Sequence, residues 1–199
     1  MDGLQPPFSG ALCQKKKTMK HDHSWLEPYT DELRDKYVLE LGCGSGIDTA
    51  AISKLTEHII AVDRAPKANC TNTVLNLDHS KPLPFENETF DTVVASLCLH
   101  YFSLEKTKQI IAEITRILRP HGAFVCRLNS YKDTNYGAVG HSEIEPGLYN
   151  VNGEQKRFFK EQQIQELWGQ EYSMGVILHK GIDRYQKTKY VYEFKAIKA

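Results

Sequence analysis

Val38-Leu39-Glu40-Leu41-Gly42-Cys43-Gly44-Ser45-Gly46 runs an apolar strand into three glycines at alternate positions, and helical spacing begins at Ile47. Glycine suits such a loop because the chain must turn sharply and let a ligand approach bare backbone. The dinucleotide fingerprint is G-x-G-x-x-G with a pyrophosphate on the helix N-terminus, but here Ile47 holds the place of its third glycine. Glu40 lies two residues before the first glycine. A carboxylate about 5 Å from a pyrophosphate would repel it by about 3 kcal/mol at an effective dielectric near ~20. The loop therefore suits a cationic or neutral ligand; taken alone, it also fits a tight turn that binds nothing.

Three further stretches extend the pattern. Asp63 ends the apolar run His58-Ile59-Ile60-Ala61-Val62. A carboxylate about 20 residues past such a loop is placed to accept hydrogen bonds from ribose hydroxyls, although an Asp can also simply end a strand. Leu77-Asp78-His79-Ser80-Lys81-Pro82-Leu83-Pro84-Phe85 comes next, followed by Phe90-Asp91-Thr92-Val93-Val94-Ala95-Ser96. In Ile117-Leu118-Arg119-Pro120-His121-Gly122-Ala123-Phe124, Pro ends a helix and Gly122 is expected to take a left-handed turn into the next strand.

Together these stretches resemble the class I S-adenosylmethionine-dependent methyltransferases, whose first motif reads E/D-x-G-x-G-x-G. The match covers Tyr37 to Phe124 by motif and the remainder by pattern, and it looks most like the compact type 11 and tellurite-resistance-like groups. The resemblance implies S-adenosylmethionine as cofactor and S-adenosylhomocysteine as product. It places Glu40 at the methionine end, Gly42, Gly44 and Gly46 under the sugar and amino-acid portion, Asp78 with His79 at the adenine, and Ser96 with Leu97 beneath the cofactor. The implied fold is a Rossmann-like three-layer α/β sandwich with a mainly parallel seven-stranded sheet, order 3-2-1-4-5-7-6, the last strand antiparallel.

The periodicity agrees. Tyr37 to Leu41, Ile59 to Val62, Thr73 to Leu77, Phe90 to Ser96 and Ala123 to Leu128 read as strands, and Tyr172 to Leu178 with Tyr190 to Ile197 as a closing hairpin. Ile47 to Leu55 reads as a helix with Ile47, Ala50, Ala51 and Leu55 inward, Leu104 to Leu118 as the best amphipathic helix, and Phe158 to Trp168 as another. The stretch between strands two and three departs from the family pattern, being too short for a full crossover helix. The first 24 residues read as a flexible arm. Trp25 to Leu33 reads as a short helix, in which Trp25 either caps the cofactor or anchors the segment to the core.

Composition bounds the rest. The 199 residues suit one domain, with 41% hydrophobic and 25% charged residues, and Lys+Arg 25 balances Asp+Glu 25, so no bulk attraction to nucleic acid is expected. No membrane partner is expected either, since no run approaches the ~20 apolar residues of a span. The start shows no apolar signal-peptide core, and a cytoplasmic location is expected. Five scattered cysteines, Cys13, Cys43, Cys70, Cys98 and Cys126, form no C-x-x-C pair. No metal site is expected: His21-Asp22-His23 and His141-Ser142-Glu143-Ile144-Glu145 are poor ligand sets, and Lys15 to Lys17 reads as a solvated run.

Methyl transfer from a sulfonium needs the acceptor positioned about 3 Å from the methyl in a dry pocket, and a general base is optional. His100 and Tyr101, just beyond strand four, are the catalytic candidates, with core packing an equal reading for His100. Asn129 to Gln155 lacks periodicity and reads as an irregular, mobile cap over the acceptor, with Tyr136 and His141 as substrate contacts; a surface loop is the alternative. Motifs typical of DNA amino-methylating and protein arginine methyltransferases are absent, which points to a small-molecule acceptor. A non-catalytic module that binds S-adenosylmethionine is the alternative function, and the oligomeric state is open. A nicotinamide-dependent oxidoreductase is disfavoured by Glu40 and the missing third glycine.

Overall fold

Continuous apolar runs such as Val38–Leu41, buried at all four positions, belong to strands covered on both faces, and the chain uses them to build one central sheet. The computed structural model describes residues 24–66, 74–183 and 185–199. The lysine run at Lys15, His21, His23, Cys13, Cys70 and nearly all of the N-terminal arm lie outside the described residues, as does most of the short connection expected before strand three.

Strands β1 (Val38–Leu41), β2 (Ile59–Asp63), β3 (Val74–Asn76), β4 (Phe90–Ser96) and β5 (Leu118–Asn129) are parallel, in the order β3-β2-β1-β4-β5. Three short strands, β6 (Ser142–Glu145), β7 (Leu148–Val151) and β8 (Glu154–Arg157), form a separate antiparallel sheet. Beyond β5 the main sheet adds the antiparallel β11 (Lys189–Lys198), then β10 (Leu178–Ile182), while β9 (Tyr172–Met174) pairs the far end of β11. The order is the expected 3-2-1-4-5-7-6, except that strand six is two strands, β9 and β10. Gly175 lies just past β9, where its N–H donates to Lys195 O at 2.8 Å and an added Cβ would meet that same oxygen.

Alternation along the strands sends residues to two cores. Leu39, Leu41, Val93, Ala95, Phe124 and Cys126 face α3 (Leu104–Ile117) and α4 (Glu161–Trp168), where Ile110, Ile114, Ile117, Ile164 and Trp168 are buried. Val38, Val94 and Val125 face the opposite core, closed by Trp25, Leu26, Tyr29 and Leu33 from the leading segment and Ile52 from α2 (Ile47–Ile52). The leading segment is a 3-10 turn, Ser24–Tyr29, running into the one-turn helix α1 (Thr30–Leu33). No helix among the described residues is long and apolar enough to cross a membrane.

Three expectations are corrected. Helix α2 buries Asp48, Thr49 and Ile52, whereas Ala50 is exposed, because Asp48 and Thr49 are drawn inward by hydrogen bonds. The stretch from Asn129 to Gln155 is not irregular: its second half is the β6-β7-β8 sheet, tied down by the buried Arg157, which pairs with Glu145 and donates to Phe102 O at 3.1 Å. The left-handed residue before Ala123 is His121, φ 62°, and not Gly122.

Gly122 is needed for space instead: an added Cβ would lie 2.8 Å from Arg119 O and 3.0 Å from Asp91 O. Gly122→Ala is expected to destabilise the fold by about 1–3 kcal/mol through overpacking against backbone. His121→Gly should stay within about 0.5 kcal/mol, as relief of the left-handed side chain offsets the added unfolded-state entropy. Denaturant titration of both variants checks this, and the reverse pattern would return the turn to Gly122.

Candidate active site

The carboxyl ends of β1 and β4 mark the point where the chain switches from building one half of the sheet to building the other, the usual ligand position in an open α/β sheet. A cavity of about 290 Å³ opens there, walled by the glycine loop, Asp63, Asp78, His79, Ser96 to Cys98, Tyr101 and Phe102.

Glu40 closes its floor. It is 2% exposed and accepts a hydrogen bond from Thr49 Oγ1 at 2.5 Å, and no lysine or arginine among the described residues pairs with it. Burial, helped by the nearby Asp48 and Asp63 carboxylates, pushes its pKa up to about 8. Asp48 also lines the cavity and accepts from Trp25 Nε1 at 3.1 Å. Asp63 holds the loop itself: Oδ2 accepts from Gly44 N and Oδ1 from Ala65 N, each at 2.8 Å. An ionised carboxylate has further lone pairs to offer a ligand. Asp78 is turned by Ser80, whose hydroxyl and N–H both donate to Oδ1 and hold its pKa down.

The glycines divide their work. At Gly42 (φ 68°) an added Cβ would collide with Cys98 Cβ, whereas at Gly44 (φ 55°) nothing lies within 4 Å, so bare backbone faces open space. Opposite them, Leu97 takes φ 54° with its N–H donating to Arg127 O at 2.9 Å. A left-handed bulky residue costs roughly 1–2 kcal/mol, and such strain concentrates at ligand sites. His79, with burial lowering its pKa, packs edge-on against Phe102 at 5.5 Å.

Of the residues singled out from sequence, Glu40, Gly42, Gly44, Asp63, Asp78, His79, Ser96, Leu97 and Tyr101 line this one cavity. Five do not. Gly46 is the left-handed residue at the start of α2, φ 76°. Trp25 is a core anchor, 3% exposed, which reaches the wall only through Asp48. His100 is 4% exposed behind Tyr101, with ring centroids 4.1 Å apart, and burial holds its pKa well below the usual histidine range. Tyr136 is held away by Lys187, whose carbonyl accepts from its hydroxyl at 3.0 Å, and His141 is not in the wall. Asp48, Cys98, Phe102 and Tyr185 line the cavity without having been singled out. Cys98 and Phe102 flank the predicted pair after strand four, but no local pattern marks Tyr185, which arrives from the β10–β11 connection.

A sheet of this order with a glycine loop at its switch point is the class I methyltransferase fold. A solved Burkholderia thailandensis 1,6-didemethyltoxoflavin-N1-methyltransferase shares it, with a TM-score of 0.69 over 89% of this chain and 80% of that one at 21% identity. Residues 39–126 match the methyltransferase domain family. The chain is 25% identical to phosphoethanolamine N-methyltransferase 1 of Triticum aestivum over 166 residues, which is 77% of this chain and 33% of that protein. It is 34% identical to a mitochondrial arginine-hydroxylase of Homo sapiens over 94 residues, covering 44% of this chain and 27% of that one. The chain spans between a third and under half of the length of the first curated relatives it matches. The relatives do not single out the tellurite-resistance-like group.

Glu40 sets a pH signature for the free protein. Its pKa is raised on folding, from the ordinary 4.5 to about 8, so its contribution to stability is complete below the unfolded value and is lost as pH rises through the folded one. Relative to Glu40→Gln, the wild type should therefore lose stability between these values by up to about 1.4 kcal/mol per pH unit. Thermal melts of both proteins from pH 5 to pH 9 measure it; parallel profiles would show Glu40 to be an ordinary carboxylate.

Proposed function

We propose that the protein transfers the methyl group of S-adenosylmethionine to a small-molecule acceptor by in-line displacement. The observation that carries this reading is the acidity of the cavity wall: Asp48, Asp63 and Asp78, with Glu40 as a fourth carboxyl that ionises as a cation arrives, against Arg64 alone. Such a wall repels a pyrophosphate and suits a ligand bearing an ammonium and a sulfonium. Gly44 leaves a bare stretch of backbone against which such a ligand can lie, so the residues present fit the group.

In this reading Glu40 takes the ammonium directly or through water, Asp63 accepts from the ribose, and Asp78 with His79 meets the adenine. Ser96, Leu97 and Tyr101 border the reacting end. When bound, S-adenosylmethionine supplies a methyl already activated on a sulfonium. The chain's part is then to orient the acceptor and exclude water, the effect of proximity rather than of acid–base chemistry. His100 and Tyr101 support that division: burial keeps the imidazole neutral and raises the phenol's pKa, so Tyr101 serves as a hydrogen-bond donor and wall. The segment from Asn129 to Gln155 forms the acceptor-side cover. A small acceptor is supported by the neighbour named for 1,6-didemethyltoxoflavin. A cytoplasmic location is supported by the buried Cys43, Cys98 and Cys126, which form no disulfide among the described residues.

Native mass spectrometry of the purified protein is expected to show co-purified S-adenosylhomocysteine, and calorimetry to show binding of that ligand but not of NAD. Asp63→Ala should weaken it by about 1–3 kcal/mol. Because Glu40 must lose its proton to meet an ammonium, affinity should rise from pH 6 toward pH 8, and Glu40→Gln should flatten that rise. Tight NAD binding with none of S-adenosylhomocysteine would overturn the reading. Tight S-adenosylhomocysteine binding without turnover on any acceptor would favour the non-catalytic module.

A further inference from the structure

The connection between β10 and β11 brings a side chain into the cofactor cavity from far outside the glycine-loop half. Register sets Val191 opposite Asn129 at the end of β5, so the start of β11 and the connection before it lie at the carboxyl edge of the sheet, where the cavity opens. Tyr185 from this connection and Tyr101 from the turn after β4 line the same cavity. Tyr101 is 46% exposed, a large ring at the rim and not in the core.

Tyr185 is held in that wall by the turn that follows β5. The Tyr136 hydroxyl donates to Lys187 O and accepts from Lys187 N, each at 3.0 Å. Asn135 Nδ2 donates to Thr188 O at 2.8 Å, and Thr188 Oγ1 donates to Asp183 Oδ1 at 2.7 Å. The Tyr136 and Tyr185 rings are 5.5 Å apart, and Lys189 Nζ, bonded to Asp133, lies 5.0 Å from the first ring and 5.8 Å from the second. The turn is itself seated on the small sheet: at Gly137 (φ 120°) an added Cβ would lie 2.6 Å from Val151 Cγ2. Surface connections are ordinarily held loosely, whereas a binding surface needs its side chains supported in one place. The 183–189 connection has that support.

We propose that Tyr185 is a specificity-determining residue of the acceptor site: with Tyr101 it forms an aromatic rim that takes a flat ring bearing no negative charge, and Tyr136 is the positioning residue that keeps it in the wall. The proposal rests on the methyltransferase reading, in which the cofactor takes the glycine loop, Asp63 and Asp78 and leaves the two tyrosines to the acceptor. Tyrosine rings gain most from a flat aromatic partner, through buried area and offset or edge-to-face packing. Asp48, Asp63 and Asp78 outweigh Arg64 in the wall, so an anionic ring is repelled. The nearby Lys189 ammonium is already paired with Asp133 and offers an anion no compensation.

Saturation-transfer NMR on the full chain saturated with S-adenosylhomocysteine tests this with indole, cyclohexanol and benzoate: a neutral flat ring, a neutral saturated one and an anionic flat one. Indole is expected to bind, and the other two about tenfold more weakly or less. Tyr185→Phe should keep indole affinity within about twofold, whereas Tyr185→Leu, which keeps bulk but loses the flat ring, should weaken it about tenfold. Tyr136→Phe keeps its ring but releases Lys187; it should weaken indole about threefold in the otherwise native chain and have no further effect beside Tyr185→Leu. Benzoate or cyclohexanol binding as tightly as indole, equal affinities in Tyr185→Leu and Tyr185→Phe, or an undiminished effect of Tyr136→Phe beside Tyr185→Leu would overturn the rim. So would a parallel loss of S-adenosylhomocysteine affinity in Tyr185→Leu, which would make Tyr185 a cover for the cofactor. Calorimetry on the native chain keeps the two readings apart. No binding of S-adenosylhomocysteine there removes the methyltransferase reading and this inference with it, whereas lost indole selectivity with that ligand bound removes the rim alone.

Discussion

A carboxylate kept out of water at the end of β1 organises the loop, the helix and the leading segment around it. Glu40 is desolvated, and among the described residues its side-chain hydrogen-bond donor is the Thr49 hydroxyl. Satisfying it turns α2 so that Thr49 and Asp48 face inward, against the helix's own apolar pattern. Asp48 then offers an acceptor to the Trp25 indole, and that bond fixes where the chain enters the fold. A buried carboxyl without a counter-ion escapes the cost of a buried charge by keeping its proton, as its raised pKa shows. A cation in the site would favour the ionised form.

The same face carries a second layer of charge, built differently. Arg127 and Glu193 face each other across β5 and β11 with N–O distances of 2.9 and 2.6 Å, and Lys180 reaches the other Glu193 oxygen at 2.9 Å. Both members of the central pair are essentially out of water. Buried pairs of this kind contribute little net stability but penalise any misregister, since a slip of one residue would strand each charge on the wrong face. Trp25 lies over the guanidinium while bonded to Asp48, so the leading segment is clamped between the acidic cofactor side and this ion pair.

Much of this was legible in the sequence, for identifiable reasons. The central strands could be read because burial on both faces leaves continuous apolar runs, and the loop because glycine and acid spacing is a local property. The nine predicted residues that share the cavity all sit at the ends of those strands or in the loops that follow them. What failed depends on contacts distant in sequence. Trp25 could not be assigned until Asp48 was seen to receive it, nor could the inward face of α2, since the pull of Glu40 overrides amphipathic spacing. Gly122 was misread because a close backbone approach and a left-handed turn both select glycine. The β6-β7-β8 sheet is different: its strands, such as Ser142–Glu145 and Glu154–Arg157, are polar, but its turns were readable. Pro146-Gly147 and Asn152-Gly153 are hairpin signals, and Asn152 and Gly153 take φ 55° and 88°, as a primed turn requires.

The two halves of the site follow opposite electrostatic rules, and that difference bears on how the chain can resemble proteins of different activity. The cofactor half is built from elements inside residues 39–126 and is acidic, with an uncompensated carboxylate at its centre. The 94-residue likeness to an arginine-hydroxylase shows that part of such a chain can be shared with a protein named for another reaction. The segments after β5 and β10 lie largely outside that region, and there the buried Lys189 and Asp133 form an ion pair at 3.2 Å. Likeness confined to residues 39–126 therefore carries the fold of the acidic half and not a shared reaction.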